Sequence, residues 1–148
     1  MFTTHVKAVR DMRSKSTSES DKNKTKKGDD TMTHYNKTDQ RINAVINDVL
    51  QATKDTLGDK LEKVILFGSY ARGDYDSESD IDFCILANVP RDETTKWRRD
   101  INKRIQGIDL EYDLLISLHV INSSMFYNHV DILPFYRNVL QEGVELSG

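Results

Sequence analysis

Apolar residues recur every three or four positions between residues 38 and 57, which is the spacing of one face of a helix. The positions on that face are Ile42, Val45, Ile46, Val49, Leu50, Thr53 and Leu57. Thr38 or Asp39 can cap the start of the helix, and Gly58 follows where a left-handed residue ends many helices. We therefore expect a helix over residues 38–57 that covers one side of a sheet.

Three later apolar runs have the length of β-strands. They cover residues 63–67, 80–87 and 111–118, and Pro90 follows the second run. Between the second and third runs, apolar residues return to helical spacing, which predicts a helix over residues 92–106. The opposite face of that helix is basic, with Arg98, Arg99, Lys103 and Arg104.

Short helices are expected near the C-terminus. Ser123 or Ser124 can cap the first, and Pro134 suits the first turn of the second, which Gly143 ends. The order is then helix, strand, strand, helix, strand and helices. This order predicts an α/β domain with a small mixed sheet and helices packed on it.

Composition divides the chain into two parts. Residues 13–31 contain no apolar side chain, and such a segment cannot bury enough surface to offset the entropy lost on ordering. We therefore predict a polar, disordered or partly ordered tail over residues 1–35 and one domain over residues 36–148. The net charge of −3 does not indicate a general binder of polyanions, so direct contact with nucleic acid is not expected.

Cysteine content and hydropathy exclude two further classes. Cys84 is the single cysteine, so no internal disulfide can form, and its apolar neighbours predict a small buried hydrophobe. No apolar stretch has the length of a membrane span or of a signal segment. We expect a cytoplasmic protein without a membrane partner.

Two carboxylates enter the second predicted strand together. Asp80 and Asp82 are two residues apart, so their side chains point to the same side of a strand. Like charges at that distance are unfavourable unless a proton or a cation relieves them. Carboxylate oxygens suit a hard divalent ion such as Mg²⁺.

A second feature, Gly68-Ser69, follows the first predicted strand and precedes a possible helix start. Strand, glycine turn and helix start form a common phosphate-binding geometry, because glycine lets the backbone approach the anion. Ser69 adds a hydroxyl group and Arg72 a guanidinium group. Each feature alone is most often an ordinary turn or a solvated acidic face. Together they predict a site for a nucleoside triphosphate and a metal ion.

The string from Gly68 to Gly73, followed by Ser79 to Asp82, resembles the signature of the DNA polymerase β-like nucleotidyltransferase superfamily, in which Gly-Ser precedes Asp-x-Asp by ten residues. It is most similar to the minimal nucleotidyltransferases, many of which are antitoxins encoded beside a HEPN-domain toxin. The resemblance implies that fold, with Mg²⁺ (two ions are possible) held by Asp80, Asp82 and a third carboxylate. Asp113, between Tyr112 and Leu114 at the third strand, is the expected third carboxylate, and Glu111 is the alternative.

The resemblance further implies that ATP is the substrate, with its phosphates held by Gly68, Ser69, Arg72 and Ser79. The acceptor would be a tyrosine hydroxyl on a HEPN ribonuclease toxin, and AMP added there would silence the toxin. The protein would then be the antitoxin of a type VII-like pair and form a hetero-oligomer with its toxin. No Arg-x(4–6)-His pattern of a HEPN nuclease occurs in the chain, which favours antitoxin over toxin.

Alternatives remain open at this point. One is a small-molecule nucleotidyltransferase of the kind that modifies aminoglycosides, although about 110 residues leave little room for an acceptor domain. Another is an antitoxin that neutralises its partner by binding alone. A purely structural protein would leave the Gly-Ser and Asp-x-Asp combination unexplained. His119 and His129 are interpreted as neutral structural histidines.

Overall fold

The structure, a computed structural model, describes residues 29–147 of the chain and the side chains of residues 40–146. The helices are α1 (Asp29–Leu57), α2 (Ser69–Arg72), α3 (Thr94–Arg104), α4 (Ile108–Tyr112), α5 (Ser123–His129) and α6 (Pro134–Glu142). The strands are β1 (Leu61–Phe67), β2 (Ile81–Ala87), β3 (Ile116–Asn122) and β4 (Val144–Ser147). In this part of the chain, no helix has both the length and the apolarity to cross a membrane.

The four strands form one sheet in the order β3-β2-β1-β4. Strand β1 pairs antiparallel with both β2 and β4, whereas β2 and β3 are parallel. The small mixed sheet with helices packed on it confirms the predicted fold class. One consequence of the order is that β3 lies at an edge of the sheet.

Each face of the sheet carries its own apolar core. On the face that α1 covers, the helix residues predicted from spacing pack on Val64, Phe83 and Leu118. We call this the α1 face. On the opposite face, Ile65 and Cys84 pack against residues of α5 and α6, and we call this the α6 face. Because successive residues of a regular strand alternate between faces, each residue of β2 and β3, whose pairing has no register shift, can be assigned to one of them.

Cys84 behaves as predicted from its neighbours. It is completely buried on the α6 face, and burial raises the pKa of its thiol to about 12. A thiol with such a pKa stays protonated at neutral pH, so it is a packing residue rather than a nucleophile.

Helix α1 begins at Asp29, earlier than residue 38 and inside the segment predicted to be a polar tail. No glycine or proline interrupts residues 29–38. The prediction relied on the apolar face that starts at Ile42, so it did not extend to these residues. Residues 1–28 of the predicted tail lie outside the described residues.

The predicted third strand, 111–118, is wrong at its start. Helix α4 occupies Ile108–Tyr112, and Asp113 adopts a left-handed conformation with φ 54° and ψ 49°. Aspartate tolerates this conformation better than most residues. It ends α4, turns the chain, and delays the start of β3 to Ile116.

The C-terminal prediction is correct for one helix and incomplete elsewhere. Helix α6 has Pro134 in its first turn and ends before Gly143, as expected. The cap of α5, however, is Asn122, whose side-chain Oδ1 accepts a hydrogen bond from the backbone N–H of Met125 at 2.8 Å. The short edge strand β4 was not predicted. Helix α3 is shorter than expected, because a 3-10 turn at Arg91–Glu93 precedes it.

Candidate active site

The glycine of the Gly-Ser turn lies directly against the second aspartate. Phe67, the last residue of β1, is paired with Asp82 of β2. Gly68 follows with φ 77° and ψ −156°, a conformation that side chains rarely allow, and a Cβ atom at this position would overlap Asp82 Oδ2. The turn and the carboxylate, which were predicted separately, therefore form one site.

Asp80 and Asp82 form an acidic pair with too little positive charge nearby. Asp80 is exposed and Asp82 is half-buried. Burial, and secondarily the charge of Asp80, raises the pKa of the Asp82 carboxyl above its ordinary value, although Arg72 acts in the opposite direction. Because burial and the neighbouring charge both disfavour the ionised form of Asp82, a cation between the two carboxylates would be favourable.

Arg72 is close to the site but already engaged. Its Nε lies 3.2 Å from Asp74 Oδ2 and its Nη1 lies 3.3 Å from Glu142 Oε1. Both ion pairs are substantially exposed to solvent, and such pairs contribute little stability. A phosphate group could therefore displace either carboxylate at low cost.

The two serines predicted to bind nucleotide are in different situations. Ser69 is the first residue of α2, and its carbonyl accepts hydrogen bonds from the N–H groups of Gly73 and Asp74. Ser79 closes the acidic loop, because its Oγ accepts a hydrogen bond from the Asp76 N–H at 3.0 Å and donates one to Asp76 Oδ1 at 3.1 Å. Ser69 thus belongs to the turn beside Asp82, whereas the Ser79 hydroxyl serves the loop.

Neither candidate for the third carboxylate lies in a strand. Asp113 is exposed at the end of α4, and among the described residues no three or more acidic, histidine or cysteine side chains converge as a metal site. Glu111 lies near Asp48 of α1, where its charge contributes to the raised pKa of that carboxyl. Glu111 is therefore on the α1 face, whereas Asp82 is on the α6 face.

The residue that the sheet places beside Asp82 is Ser117. The parallel register of β2 and β3 pairs Asp82 with Ser117 and Cys84 with His119, so both β3 residues lie on the α6 face. Ser117 Oγ is 3.4 Å from His119 Nε2. Sequence reasoning missed this pair because only strand pairing, which is not local in sequence, brings it to the acidic residues.

Aromatic rings surround His119. The rings of Phe67 and Phe135 lie 5.5 Å and 5.4 Å from the imidazole, centroid to centroid. Burial, and secondarily the charge of Arg98, lowers the pKa of His119 below its ordinary value. The imidazole is accordingly neutral at pH 7 and can accept a proton.

The donor set suits Mg²⁺. Mg²⁺ in nucleotide enzymes is commonly held by one or two carboxylates, with water and substrate phosphates completing the shell. Asp80 and Asp82 provide two carboxylates, and burial together with the charge of Asp80 disfavours the ionised form of Asp82, which a bound cation would stabilise. A triphosphate would supply the remaining oxygens.

The chain is similar to a known protein family and to several known proteins. The family described as "Nucleotidyltransferase domain" matches residues 46–144, which include every site residue discussed above. Two similar proteins from Methanocaldococcus jannaschii are each named "Putative protein adenylyltransferase". The first is 40% identical over 92 residues, which cover 62% of this chain and 91% of the relative. The second is 37% identical over 98 residues, which cover 66% of this chain and 90% of the relative.

Among solved structures, the chain is similar to one chain of the toxin–antitoxin structure MntA-HpeT. The TM-score is 0.48 at 24% sequence identity, and the match covers 69% of this chain and 72% of the other. A similarity of this extent supports no conclusion about function.

Proposed function

Because this chain belongs to the nucleotidyltransferase domain family, we propose that it transfers AMP from ATP to a tyrosine hydroxyl of a partner protein. Family and relatives make the chain a nucleotidyltransferase, and the names of the two relatives favour a protein acceptor. The observation that carries the proposal is the contact between the Gly68 backbone and the Asp82 carboxylate. It joins the expected phosphate-binding turn to the expected metal-binding pair.

In this proposal Asp80 and Asp82 hold Mg²⁺, and the triphosphate lies along Gly68 and Ser69. The ion would neutralise charge on the phosphates and help to position them. Arg72 can approach the phosphates by giving up one of its two exposed carboxylate partners. Ser79 contributes by holding the loop that leads into Asp80.

The chemical step replaces a phosphoanhydride bond of ATP with a phosphoester bond to the acceptor. The acceptor oxygen forms a bond to the α-phosphorus, and the bond from the α-phosphorus to the bridging oxygen breaks, so that pyrophosphate leaves. The hydroxyl proton must pass to a base. His119 is a neutral base on the same face as Asp82 and lies next to Ser117. The other candidate is Asp113, which the family resemblance implies as the third carboxylate of the site and which could receive or orient the proton.

We further propose that the acceptor protein is a HEPN toxin and that this chain is its antitoxin. The support is the string from Gly68 to Gly73 with Ser79 to Asp82, which resembles the minimal nucleotidyltransferase antitoxins. Exposed apolar side chains also border the candidate site. Leu115, just before β3, is 63% exposed, and Phe135 in α6 is 40% exposed. A rim of this kind suits an aromatic acceptor side chain on a protein surface.

One observation favours a second candidate, neutralisation by binding alone. The expected third carboxylate, Asp113, is exposed at the end of α4 and outside the sheet. If neither Asp113 nor His119 receives the proton, the chain would bind its partner and nucleotide without efficient transfer.

The test uses the chain and the HEPN protein encoded next to it. The two are incubated with ATP and Mg²⁺, and the intact mass of the partner is measured. We expect the partner to gain one or more AMP units with the unmodified chain and none with Asp82→Asn. Neutralisation of the toxin in cells by Asp80→Asn/Asp82→Asn at natural expression levels would instead establish binding alone.

A further inference from the structure

Within residues 29–147, no strand pairs with the outer edge of β3. The N–H of Ile81 donates to the carbonyl of Leu115 at 2.9 Å, and the parallel register continues to the pair Ala87 and Asn122. In a parallel ladder, backbone groups of alternate residues point to opposite sides. Residues 115, 117, 119 and 121 therefore face β2, whereas the N–H and C=O groups of Leu118 and Val120 face away from the sheet.

A groove runs along this outer edge. One cavity of about 650 Å³ and a second of about 330 Å³ adjoin, since both are lined by Thr94, Val120, Ile121 and Tyr136. Val120 belongs to the α1 face and Ile121 to the α6 face, so a cavity that contacts both must lie along the edge of the strand. Helix α3 forms one wall of the groove, and α6 contributes to the other.

The wall formed by α3 is basic. Between Thr94 and Arg104 the helix has five lysine or arginine residues and one aspartate. Arg98 of this helix lines the smaller cavity, and Arg91, just before the helix, lines the larger one together with Asp92. Both arginines are exposed. The groove thus combines apolar side chains, free backbone groups and a positive rim.

We propose that this groove binds an extended acidic segment of the acceptor protein, which adds to β3 as a fifth strand. The segment would pair with the outward backbone groups of Leu118 and Val120, while its acidic side chains approach Arg91 and Arg98. This inference rests on the proposed function and names how that acceptor is recognised. It concerns binding of the acceptor, not the chemistry at Asp82.

An added strand would also direct a side chain to the candidate site. Neighbouring strands lie about 4.8 Å apart, and Ser117 separates the added strand from Asp82 in the same row of the sheet. A tyrosine aligned with Ser117 on the α6 face would extend its hydroxyl over Ser117 toward Asp82. An extended acceptor therefore reaches the site without rearrangement of the sheet.

Other occupants fit the groove less well. Residues 1–28 of this chain hold eight lysine or arginine residues and three acidic ones, so their charge has the same sign as the groove wall. A single-stranded RNA would match the charge, but it would leave the outward N–H and C=O groups of β3 and the apolar side chain of Met125 without suitable partners.

The test measures binding of fluorescent peptides to the full-length chain by anisotropy. One peptide alternates valine and glutamate around a central tyrosine, and its matched counterpart has lysine in place of each glutamate. We expect the acidic peptide to bind more tightly. N-methylation of its backbone at successive residues should weaken binding at every second position only, because a strand pairs through one of its edges.

Charge reversal at the wall provides the matched variants. Arg98→Glu should weaken binding of the acidic peptide about fivefold, as expected when an exposed ion pair becomes a repulsive one. Arg99→Glu changes the same charge on the same helix outside the groove, and it should have a smaller effect. Circular dichroism of both variants shows whether they are folded.

Three results would overturn the proposal: equal binding of acidic and basic peptides, N-methyl effects without alternation, or tighter binding of an oligouridylate than of the acidic peptide. Peptide binding to a chain that transfers no AMP to the HEPN partner would contradict the proposed function and leave the docking groove intact. If Arg98→Glu does not slow AMP transfer to a HEPN partner, the docking groove is contradicted and the proposed function stands.

Discussion

Gly68 lies so close to Asp82 that a single additional carbon on the glycine would overlap the Asp82 carboxylate. The strand pairing sets this contact, because Phe67 and Asp82 face each other at the ends of β1 and β2. The chain turn that follows β1 is thereby fixed against the acid that begins β2. A phosphate on the turn and a cation on the acid would be neighbours.

Replacing this glycine should damage the site more than replacing a comparable one. We expect Gly68→Ala to abolish AMP transfer and to lower the free energy of unfolding by about 2 kcal/mol or more, because it combines a positive φ with an overlap. Gly73→Ala is the matched control, since Gly73 also has a positive φ of 86° but open space around it. It should cost about 1 kcal/mol and retain transfer. Urea unfolding measures the stability of the two variants, and a labelled-ATP assay measures their AMP transfer. Equal loss of stability and of transfer in both variants would refute the overlap with Asp82 as the cause.

The acidic pair of Asp80 and Asp82 should lower the free energy of unfolding of the metal-free protein. A raised pKa means that folding disfavours the charged form of Asp82, so its ionisation opposes folding as the pH rises through the folded pKa. Asp82→Asn should therefore raise the melting temperature in EDTA at pH 7, by ~3 °C. It should also remove the stabilisation that Mg²⁺ with ATP gives the unmodified chain.

Asp59→Asn serves as the control for that experiment, because Asp59 is an exposed acid outside the site. Asp59→Asn should leave the melting temperature in EDTA, and the melting temperature with Mg²⁺ and ATP, close to those of the unmodified chain. If Asp82→Asn lowers the melting temperature in EDTA, the pair is not a site of uncompensated charge.

His119 should make stability depend on pH in the mildly acidic range. Its folded pKa lies below the ordinary value of about 6.5, so the unfolded chain binds the proton more readily. Stability is then fully present above about pH 6.5 and falls as the pH drops through the folded pKa, with a slope of at most about 1.4 kcal/mol per pH unit. His119→Phe keeps the ring contacts with Phe67 and Phe135 and should flatten this part of the curve. An unchanged slope in urea titrations would contradict the assignment.

Two substitutions should identify the residue that receives the acceptor proton. If His119 does so, His119→Phe lowers the rate of AMP transfer by about 10²-fold or more, and Asp113→Asn leaves it nearly unchanged. If Asp113 receives the proton, Asp113→Asn lowers the rate of AMP transfer by about 10²-fold or more, and His119→Phe leaves it nearly unchanged. ATP affinity should be similar in both variants, because neither residue is assigned to the phosphates. Loss of ATP binding in either variant would reject that residue as a simple base, because its role would then extend to nucleotide binding.

The features that could be predicted from the sequence are those whose residues lie close together along the chain. The Gly-Ser turn, the Asp-x-Asp pair and the β1–β2 strands all depend on residues close together along the chain, and the mixed fold follows from the order of elements. The start of β3 was misplaced because Asp113 takes a left-handed conformation that the apolar run from Tyr112 to Leu118 does not reveal. Ser117 and His119 were not recognised as neighbours of the acids, since a parallel pairing between β2 and β3 is set by tertiary packing.

Reliance on local sequence patterns also explains the errors at the start of α1 and near the C-terminus. Helix α1 begins at Asp29, whereas the prediction took its start from the apolar spacing and a possible cap at Thr38 or Asp39. Strand β4 is four residues long and gains its structure by pairing with β1, so its sequence alone carries little signal. The assignment of Asn122 rather than Ser123 or Ser124 as a cap depends on where β3 ends.

The central claim is that the turn at Gly68 and the carboxylate of Asp82 form one site for ATP and a divalent cation. The most direct measurement is calorimetric titration of ATP into the full-length chain, with Mg²⁺ and with EDTA, for the unmodified chain and Asp82→Asn. We predict that ATP binds to the unmodified chain with Mg²⁺ and binds at least tenfold more weakly in EDTA or to Asp82→Asn, a difference of about 1.4 kcal/mol or more. Equal ATP affinity in all these conditions would contradict the account.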